Sequence, residues 1–313
     1  MDIKKYFIKR TSIIDKALKV FIKALHDVPP ILQKSMLYSL SAGGKRLRPV
    51  LLTATYEIFG GKKEDVLPAA CSIEMVHTYS LIHDDLPSLD NDDLRRGKPT
   101  NHKVFGEAVA VLAGDALLTN AFSVLGHNAE TKKIKEKNVL DCMRILAKYA
   151  GAGGMVGGQA ADLEAEGFLQ GKKRSLNSDK KLFKTANDLL NYIHLHKTAD
   201  LISASVEMGA VLADASPEDF KHLANYAHCI GLAFQIVDDV LDVIGDKKKL
   251  GKKGSDVRNK KLTYVPLFGI DQSNKQAALL ISEAHDELDQ VNGSIKAKRV
   301  LHEIADFIVK RDK

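Results

Sequence analysis

Apolar residues recur every three to four positions along most of the chain, and no other feature limits its fold more strongly. Pairs such as Pro29-Pro30 and Gly60-Gly61 separate the periodic segments, and we find no sustained alternation of the strand type. The spacing predicts helices over 12–25, 31–40, 47–59, 66–83, 106–125, 138–152, 186–213, 218–243, 263–270, 274–289 and 294–311. The sequence therefore predicts an all-α fold.

The bulk properties of the chain favour one globular domain. With 313 residues, 45% hydrophobic and 27% charged, it can bury a large core, so we expect residues 1–313 to form a single domain. The polar, basic segment 170–184 is predicted to be a surface insertion. The first residues carry mixed charge without a long apolar run, and apolar stretches elsewhere are broken by Asp or Gly. We therefore expect neither a secretory signal nor a membrane anchor.

Cysteine usage and net charge indicate the compartment and the kind of ligand. Cys71, Cys142 and Cys229 are odd in number and widely separated, which favours reduced core thiols of a cytoplasmic protein over a disulfide or zinc site. The net charge of +6 could suggest nucleic acid, but the lysines are scattered and not interleaved with aromatic residues. Steering of a small anionic substrate explains the charge equally well, so we expect no nucleic-acid partner.

An acidic cluster follows an apolar helical stripe at 75–82. Asp84, Asp85, Asp90, Asp92 and Asp93 fall within ten residues and are followed at once by Arg95 and Arg96. Close carboxylates raise one another's pKa, and a hard divalent cation relieves the repulsion. Mg²⁺ commonly takes one or two carboxylates plus substrate phosphates, and the Arg pair suits phosphate. For a lone aspartate pair, an acidic solvated loop would be the simpler interpretation.

A second acidic cluster favours the metal interpretation. Asp238, Asp239 and Asp242 lie in the segment 234–242, on another predicted helix. Asp238 and Asp242 are four residues apart, so they share one helix face. Two aspartate-rich helices that face each other could hold several Mg²⁺ ions around one diphosphate.

Three motifs together resemble those of the trans-prenyl diphosphate synthases: GGKRLRP (43–49), DDLPSLD (84–90) and DDVLD (238–242). The first aspartate motif resembles the form found in bacterial and plastid farnesyl and geranylgeranyl diphosphate synthases, and the similarity extends to the end of the chain. The resemblance implies an antiparallel helical bundle of the isoprenoid synthase type with a central cavity. It also implies Mg²⁺-dependent head-to-tail condensation of isopentenyl diphosphate with dimethylallyl and geranyl diphosphates by a cytoplasmic homodimer.

The resemblance also implies the metal site. It assigns three Mg²⁺ ions per active site, with Mn²⁺ able to substitute. The implied ligands are Asp84, Asp85, Asp90, Asp238, Asp239 and Asp242.

The same resemblance suggests the residues that bind substrate. Lys45, Arg48, His77 and Arg96 would bind isopentenyl diphosphate, and Arg95 would reach toward the allylic diphosphate. Alone, the KRLR run would usually be a solvated face, and a histidine such as His77 would usually be a satisfied core residue. The motif context favours binding instead, and we also expect Lys45 and Arg48 to share one face at a helix start.

The resemblance places the catalytic residues in two further segments. Lys197 and Thr198 belong to an HKT motif, and Gln235 matches the FQ that precedes the second aspartate motif. All three are expected to bind the allylic diphosphate or stabilise the carbocation. Lys252 and Lys261 are expected to bind diphosphate, although the loop at 251–256 is one residue shorter than the family pattern, so Lys253 could replace Lys252.

Two further features concern the cavity. The segment 153–158 is rich in glycine, which indicates close approach to a partner helix or substrate, because glycine destabilises helices. Tyr79, five residues before Asp84, could be an ordinary core residue. By resemblance, an aromatic side chain there closes the cavity and limits the main product to farnesyl diphosphate, with geranylgeranyl diphosphate as the alternative. A terpene cyclase or a non-catalytic subunit is less favoured, because both aspartate motifs and the basic motif are complete.

Overall fold

The computed structural model describes residues 2–169, 185–244 and 263–310, and most of them are helical. One short antiparallel hairpin pairs β1 (Leu94–Arg95) with β2 (Lys98–Pro99). The helices are α1 (Ile3–Lys23), α2 (Pro30–Leu40), α3 (Leu47–Ile58), α4 (Leu67–Asp84), α5 (Asn101–Phe105), α6 (Glu107–Gly126), α7 (Glu136–Ala150), α8 (Met155–Leu169), α9 (Ala186–Ile193), α10 (Asp200–Leu212), α11 (Pro217–Ile244), α12 (Tyr264–Phe268), α13 (Ile270–Gln290) and α14 (Ile295–Lys310). The all-α prediction is confirmed. The predicted insertion at 170–184 lies outside the described residues, so the single domain over 1–313 stays a prediction.

Two helices differ most from their predicted bounds, and α5 and α8 were not predicted. The first begins at Ile3 rather than at 12, because the Asp2 side chain caps it by accepting a hydrogen bond from the Lys5 amide at 3.2 Å. The segment predicted as one helix over 186–213 is divided by a turn of π-helix, His194–Ala199. Such wide turns occur often at functional sites, and this one contains Lys197 and Thr198.

The two helices that carry the aspartate motifs belong to one hydrophobic core. α4 is buried along most of its length and packs against α3 and α6. α11 packs against α10, a central helix of the core. Every residue of α10 except Val211 is buried, because α3 and α7 pack against it as well. The three cysteines are buried free thiols, as the sequence predicted. This packing holds the C-terminal ends of α4 and α11 at defined positions.

The segment Glu107–Glu130 is apolar enough, at a mean hydropathy of 1.7, to cross a membrane by length and composition alone. One such segment is weak evidence for a membrane protein, because core helices share this composition. Gly114 and Asp115 interrupt it, and α6 packs along α4. Only 39% of the apolar window is buried inside the protein, so α6 keeps an exposed apolar face.

Candidate active site

The first aspartate motif forms a compact turn at the end of α4. The helix ends at Asp84, and Pro87 follows in the turn. The amide of Asp90 donates a hydrogen bond to the carbonyl of Asp84 at 2.9 Å. The backbone thus brings the first and last aspartates of DDLPSLD together although six positions separate them. Both side chains are partly exposed at the C-terminal end of the helix.

Asp85 lies in a different environment from its neighbour. It is only 3% exposed, and its Oδ1 lies 2.6 Å from both Nε and Nη2 of Arg95. Burial raises the pKa of the Asp85 carboxyl to about 6; Arg95 opposes that shift, whereas Asp92 and Asp84 add to it. These two contacts to one carboxylate oxygen fix the orientation of the Arg95 guanidinium.

Three residues of the predicted isopentenyl diphosphate site lie close together. His77 is held neutral, because burial and then the charges of Arg48, Arg96 and Arg95 hold its pKa well below the usual range. Burial lowers the pKa of Arg48 to about 10; Glu74 and Asp238 oppose the shift, and Arg96 adds to it. Within the part of the chain that the structure describes, the enclosed Nε of Arg48 has no hydrogen-bond partner. This cluster is positively charged.

The basic motif at 43–49 divides into residues with different roles. α3 begins at Leu47, so Lys45 lies outside the helix, and the prediction that Lys45 and Arg48 share a face at a helix start is wrong. The reason is that Arg46 takes a left-handed conformation (φ 51°) just before the helix. Lys45 is exposed, and its Nζ lies 5.1 Å from the centre of the Phe307 ring.

Arg46 has a structural role that the sequence did not reveal. Its side chain is 1% exposed and contacts Glu74 of α4 at 2.7 Å and Asp15 of α1 at 2.8 Å. It also donates to the carbonyl of Leu40. Glu74 is the lone acid in an apolar run of α4, and a buried charge of that kind needs a partner. That pattern was the available signal, but nothing local indicated which arginine would supply the partner.

The π-helical turn presents Lys197 toward α8. The Lys197 ammonium donates a hydrogen bond to Asp162 of α8, whose side chain is buried. A Cβ on Gly158 would lie 2.3 Å from the Lys197 backbone nitrogen. The predicted close approach of the glycine-rich segment to a partner helix is therefore confirmed. Thr198 is half-buried in the same turn.

The second aspartate motif repeats the division seen in the first. Asp239 is 4% exposed and accepts hydrogen bonds from Nε2 of Gln235 at 2.8 Å and from the amide of Tyr264 at 2.7 Å, and its Oδ2 lies 3.0 Å from Nε2 of His194. The Asp239 carboxylate thereby ties the π-helical turn and α12 to α11. Asp238 and Asp242 are partly exposed on the same helix. His194 was not predicted as a functional residue.

Comparison with known proteins shows which family carries these motifs. The family model for polyprenyl synthetase matches residues 29–301. The chain belongs to the polyprenyl synthetase family.

Three similar proteins show the range of the family. This polyprenyl synthetase is 45% identical over 304 residues to farnesyl diphosphate synthase of Bacillus subtilis (strain 168), covering 97% of this chain and 96% of that protein. It is 44% identical over 308 residues to geranylgeranyl diphosphate synthase of Cyanophora paradoxa, covering 98% and 96%. A geranyltransferase from Helicobacter pylori, solved in complex with magnesium and isoprenyl diphosphate, matches with a TM-score of 0.76 at 33% identity, covering 99% and 97%. These matches identify the chain as a prenyltransferase.

The donor set of this polyprenyl synthetase suits Mg²⁺. Within residues 2–169, 185–244 and 263–310, no three acidic, histidine or cysteine side chains converge on a common metal position. Mg²⁺ does not need such an enclosed site, because it keeps several waters and takes one or two carboxylates plus substrate phosphates. The partly exposed Asp84, Asp90, Asp238 and Asp242 offer hard oxygen donors of that type. The family is magnesium-dependent, as the motifs predicted.

Two predicted substrate-binding residues, Lys252 and Lys261, lie outside the described residues.

Proposed function

We propose that this prenyltransferase condenses isopentenyl diphosphate with dimethylallyl and geranyl diphosphates and releases mainly farnesyl diphosphate. The observation that carries the proposal is the cluster of Arg48, His77 and Arg96. Among the residues that the structure describes, none forms a hydrogen bond with the enclosed Nε of Arg48. A cluster of cations favours a bound anion, and a diphosphate supplies one. Arg48 interacts electrostatically with Asp238 as well as with Arg96. The cluster is thus a second diphosphate site beside the aspartate motifs, which an elongating enzyme needs and a cyclase does not.

We assign the two diphosphates to different residues. Lys45, Arg48, His77 and Arg96 bind the diphosphate of isopentenyl diphosphate. Because His77 is neutral, it offers a ring N–H without adding charge. Arg95 and Lys197 bind the allylic diphosphate, and we retain Lys252 and Lys261 as further ligands for it. Asp85 and Asp162 hold Arg95 and Lys197 until that anion arrives.

Asp84, Asp90, Asp238 and Asp242 would hold Mg²⁺, and we propose three ions per site, with Mn²⁺ able to substitute. When bound, Mg²⁺ supplies positive charge that makes the allylic diphosphate a better leaving group. Asp85 and Asp239 were also predicted as ligands. Because protein donors already contact both buried carboxylates, we propose that they orient Arg95 and the π-helical turn instead.

The remaining chemistry is positioning and electrostatic stabilisation. The allylic C–O bond breaks, and the positive charge develops on the allyl group near Thr198 and Gln235, whose dipoles stabilise it. The double bond of isopentenyl diphosphate attacks C1, and the released diphosphate takes the proton that is lost. Holding both substrates in register supplies most of the rate enhancement.

Tyr79 is the residue that we propose to limit the chain length of the prenyl product. Its side chain is 6% exposed and lies on α4 five residues before Asp84, about 7.5 Å along the helix axis. Burial, with a contribution from Asp84, raises the pKa of its phenol to about 12, so it stays a neutral wall. We propose that it closes the cavity after fifteen carbons. Geranylgeranyl diphosphate is the alternative product, because a farnesyl diphosphate synthase and a geranylgeranyl diphosphate synthase are almost equally similar to this chain, at 45% and 44% identity.

We further propose a homodimer that acts in the cytoplasm. Val111 and Leu112 of α6 are 39% and 56% exposed, and Leu140 of α7 is 54% exposed. Exposed apolar side chains of this kind favour burial against a second copy. A monomeric mass by light scattering at assay concentration would contradict this state.

The direct test is incubation with isopentenyl and dimethylallyl diphosphates and Mg²⁺. Diphosphate release only when both substrates are present supports elongation, whereas release from the allylic substrate alone indicates a cyclase. Asp84→Ala and Asp238→Ala should each lose nearly all turnover, and Asp286→Ala, an exposed aspartate on α13, should not. Near-normal rates in either motif variant would contradict the assignment of two metal-binding clusters.

A further inference from the structure

His83 occupies a notch in the surface of α6. A Cβ on Gly114 would lie 2.1 Å from Nε2 of His83, so the imidazole fills the space that any other residue at 114 would need. The same nitrogen lies 3.1 Å from the carbonyl oxygen of Val111. Because a carbonyl only accepts, Nε2 must carry the hydrogen and donate it. The Asp115 carboxylate lies 3.9 Å away on the same helix. The notch and this hydrogen bond fix the ring against α6.

The fixed imidazole in turn contacts Tyr79, one helical turn earlier on α4. The two ring centres are 5.7 Å apart at an angle of 78°, an edge-to-face arrangement. Residues four apart on a helix meet in this way, so the contact is built into α4. Tyr79 is buried, whereas the His83 side chain is 26% exposed. A line of contacts therefore runs from Gly114 through His83 to Tyr79.

We infer that His83 is a positioning residue for product length, and that Gly114 makes room for it. The inference rests on the proposed function, in which Tyr79 closes the elongation cavity. His83 is fixed by α6 and packs against the Tyr79 ring, which restricts the rotation by which the phenol could move aside for a longer chain. His83 need not touch substrate to act.

The test measures product length rather than rate. The readout is the ratio of products longer than the main one to the main product, from isopentenyl and dimethylallyl diphosphates. His83→Ala should raise this ratio roughly threefold or more, as expected for losing an aromatic contact. Gly114→Ala should shift it in the same direction, because the new methyl group displaces the imidazole. Gly126→Ala is the matched control on α6, since its Cβ would lie 3.7 Å from Met143 Cε, an ordinary contact.

The double variant His83→Ala/Gly114→Ala separates the mechanism from general damage. If Gly114 acts through His83, the double variant has the ratio of His83→Ala alone. A further increase in the double variant would overturn the inference, and so would unchanged ratios in both single variants. If Gly114→Ala fails to fold, His83→Ala alone tests the inference. The His83 side chain is partly exposed, so its removal leaves little cavity.

The outcomes distinguish this inference from the function on which it rests. A wild-type protein that forms no prenyl product would end the proposed function, and the inference with it. Normal elongation with an unchanged ratio in His83→Ala would overturn the inference alone.

Discussion

Gly158→Ala tests how closely α8 controls the position of Lys197. The added Cβ would lie 2.3 Å from the Lys197 nitrogen, 2.8 Å from Lys197 Cα and 2.8 Å from the carbonyl carbon of His196. All three are backbone atoms, so no side-chain rotation can relieve the overlap. Carbon atoms at optimal contact are about 3.5–4.0 Å apart. The π-helical turn must therefore move away from α8 by about 1 Å.

That displacement sets the expected magnitude. A misplacement of about 1 Å at a reacting centre can cost about 10²-fold in rate. Overpacking of this kind costs about 1–3 kcal/mol of stability, which the folded protein can tolerate. We therefore expect Gly158→Ala to remain folded and to lose about 10²-fold in kcat/KM for the allylic substrate.

The assay compares kcat/KM with the unfolding midpoint in Gly158→Ala and in a matched variant. Gly153→Ala lies in the same glycine-rich segment, but its Cβ would meet no atom within 4 Å. It should therefore keep wild-type turnover. Wild-type kcat/KM in Gly158→Ala would refute the argument, as would an equal loss in Gly153→Ala.

Three further predictions concern charge. Arg46→Ala should lower the free energy of unfolding by about 3–5 kcal/mol in denaturant titrations, because Glu74 is left buried without its cation. His77→Gln should reduce the loss of stability in acid. Below about pH 6.5 the unfolded chain binds a proton at His77. The folded protein does not, because the pKa of His77 is depressed there. Wild-type stability should accordingly fall below that pH, by up to about 1.4 kcal/mol per pH unit from this residue. Chelation should abolish diphosphate release, and added Mg²⁺ or Mn²⁺ should restore it.

Each of these has its own control. Arg144→Ala removes an exposed ion pair with Asp141 and should cost at most about 1 kcal/mol, so a similar loss in Arg46→Ala would contradict a structural role for Arg46. His26→Gln, in the exposed loop between α1 and α2, is the matched control for replacing a histidine by glutamine. If His77→Gln matches wild type at every pH, the depressed pKa is not the cause. Diphosphate release that survives chelation would rule out the metal assignment.

The sequence by itself determined the fold class and the positions of the motifs in the chain. Apolar spacing is a local property of the chain, so it predicted most of the helices that the structure contains, although not α5 or the glycine-rich α8. The segments DDLPSLD and DDVLD lie at the ends of buried helices, as their apolar flanks indicated. The glycine-rich segment also indicated its close contact, because glycine in a helix has a cost that packing must offset.

Only the tertiary structure decided the role of individual residues within each motif. Neighbouring aspartates look alike in sequence, yet Asp85 is buried against Arg95 while Asp84 remains partly exposed. Asp239 is held by His194 and Tyr264, which lie far from it in sequence. Partners of this kind come from other segments, so the choice depends on how helices pack and on which charges that packing buries. Local periodicity fixes which face of a helix is buried, but it carries no information about what lies opposite.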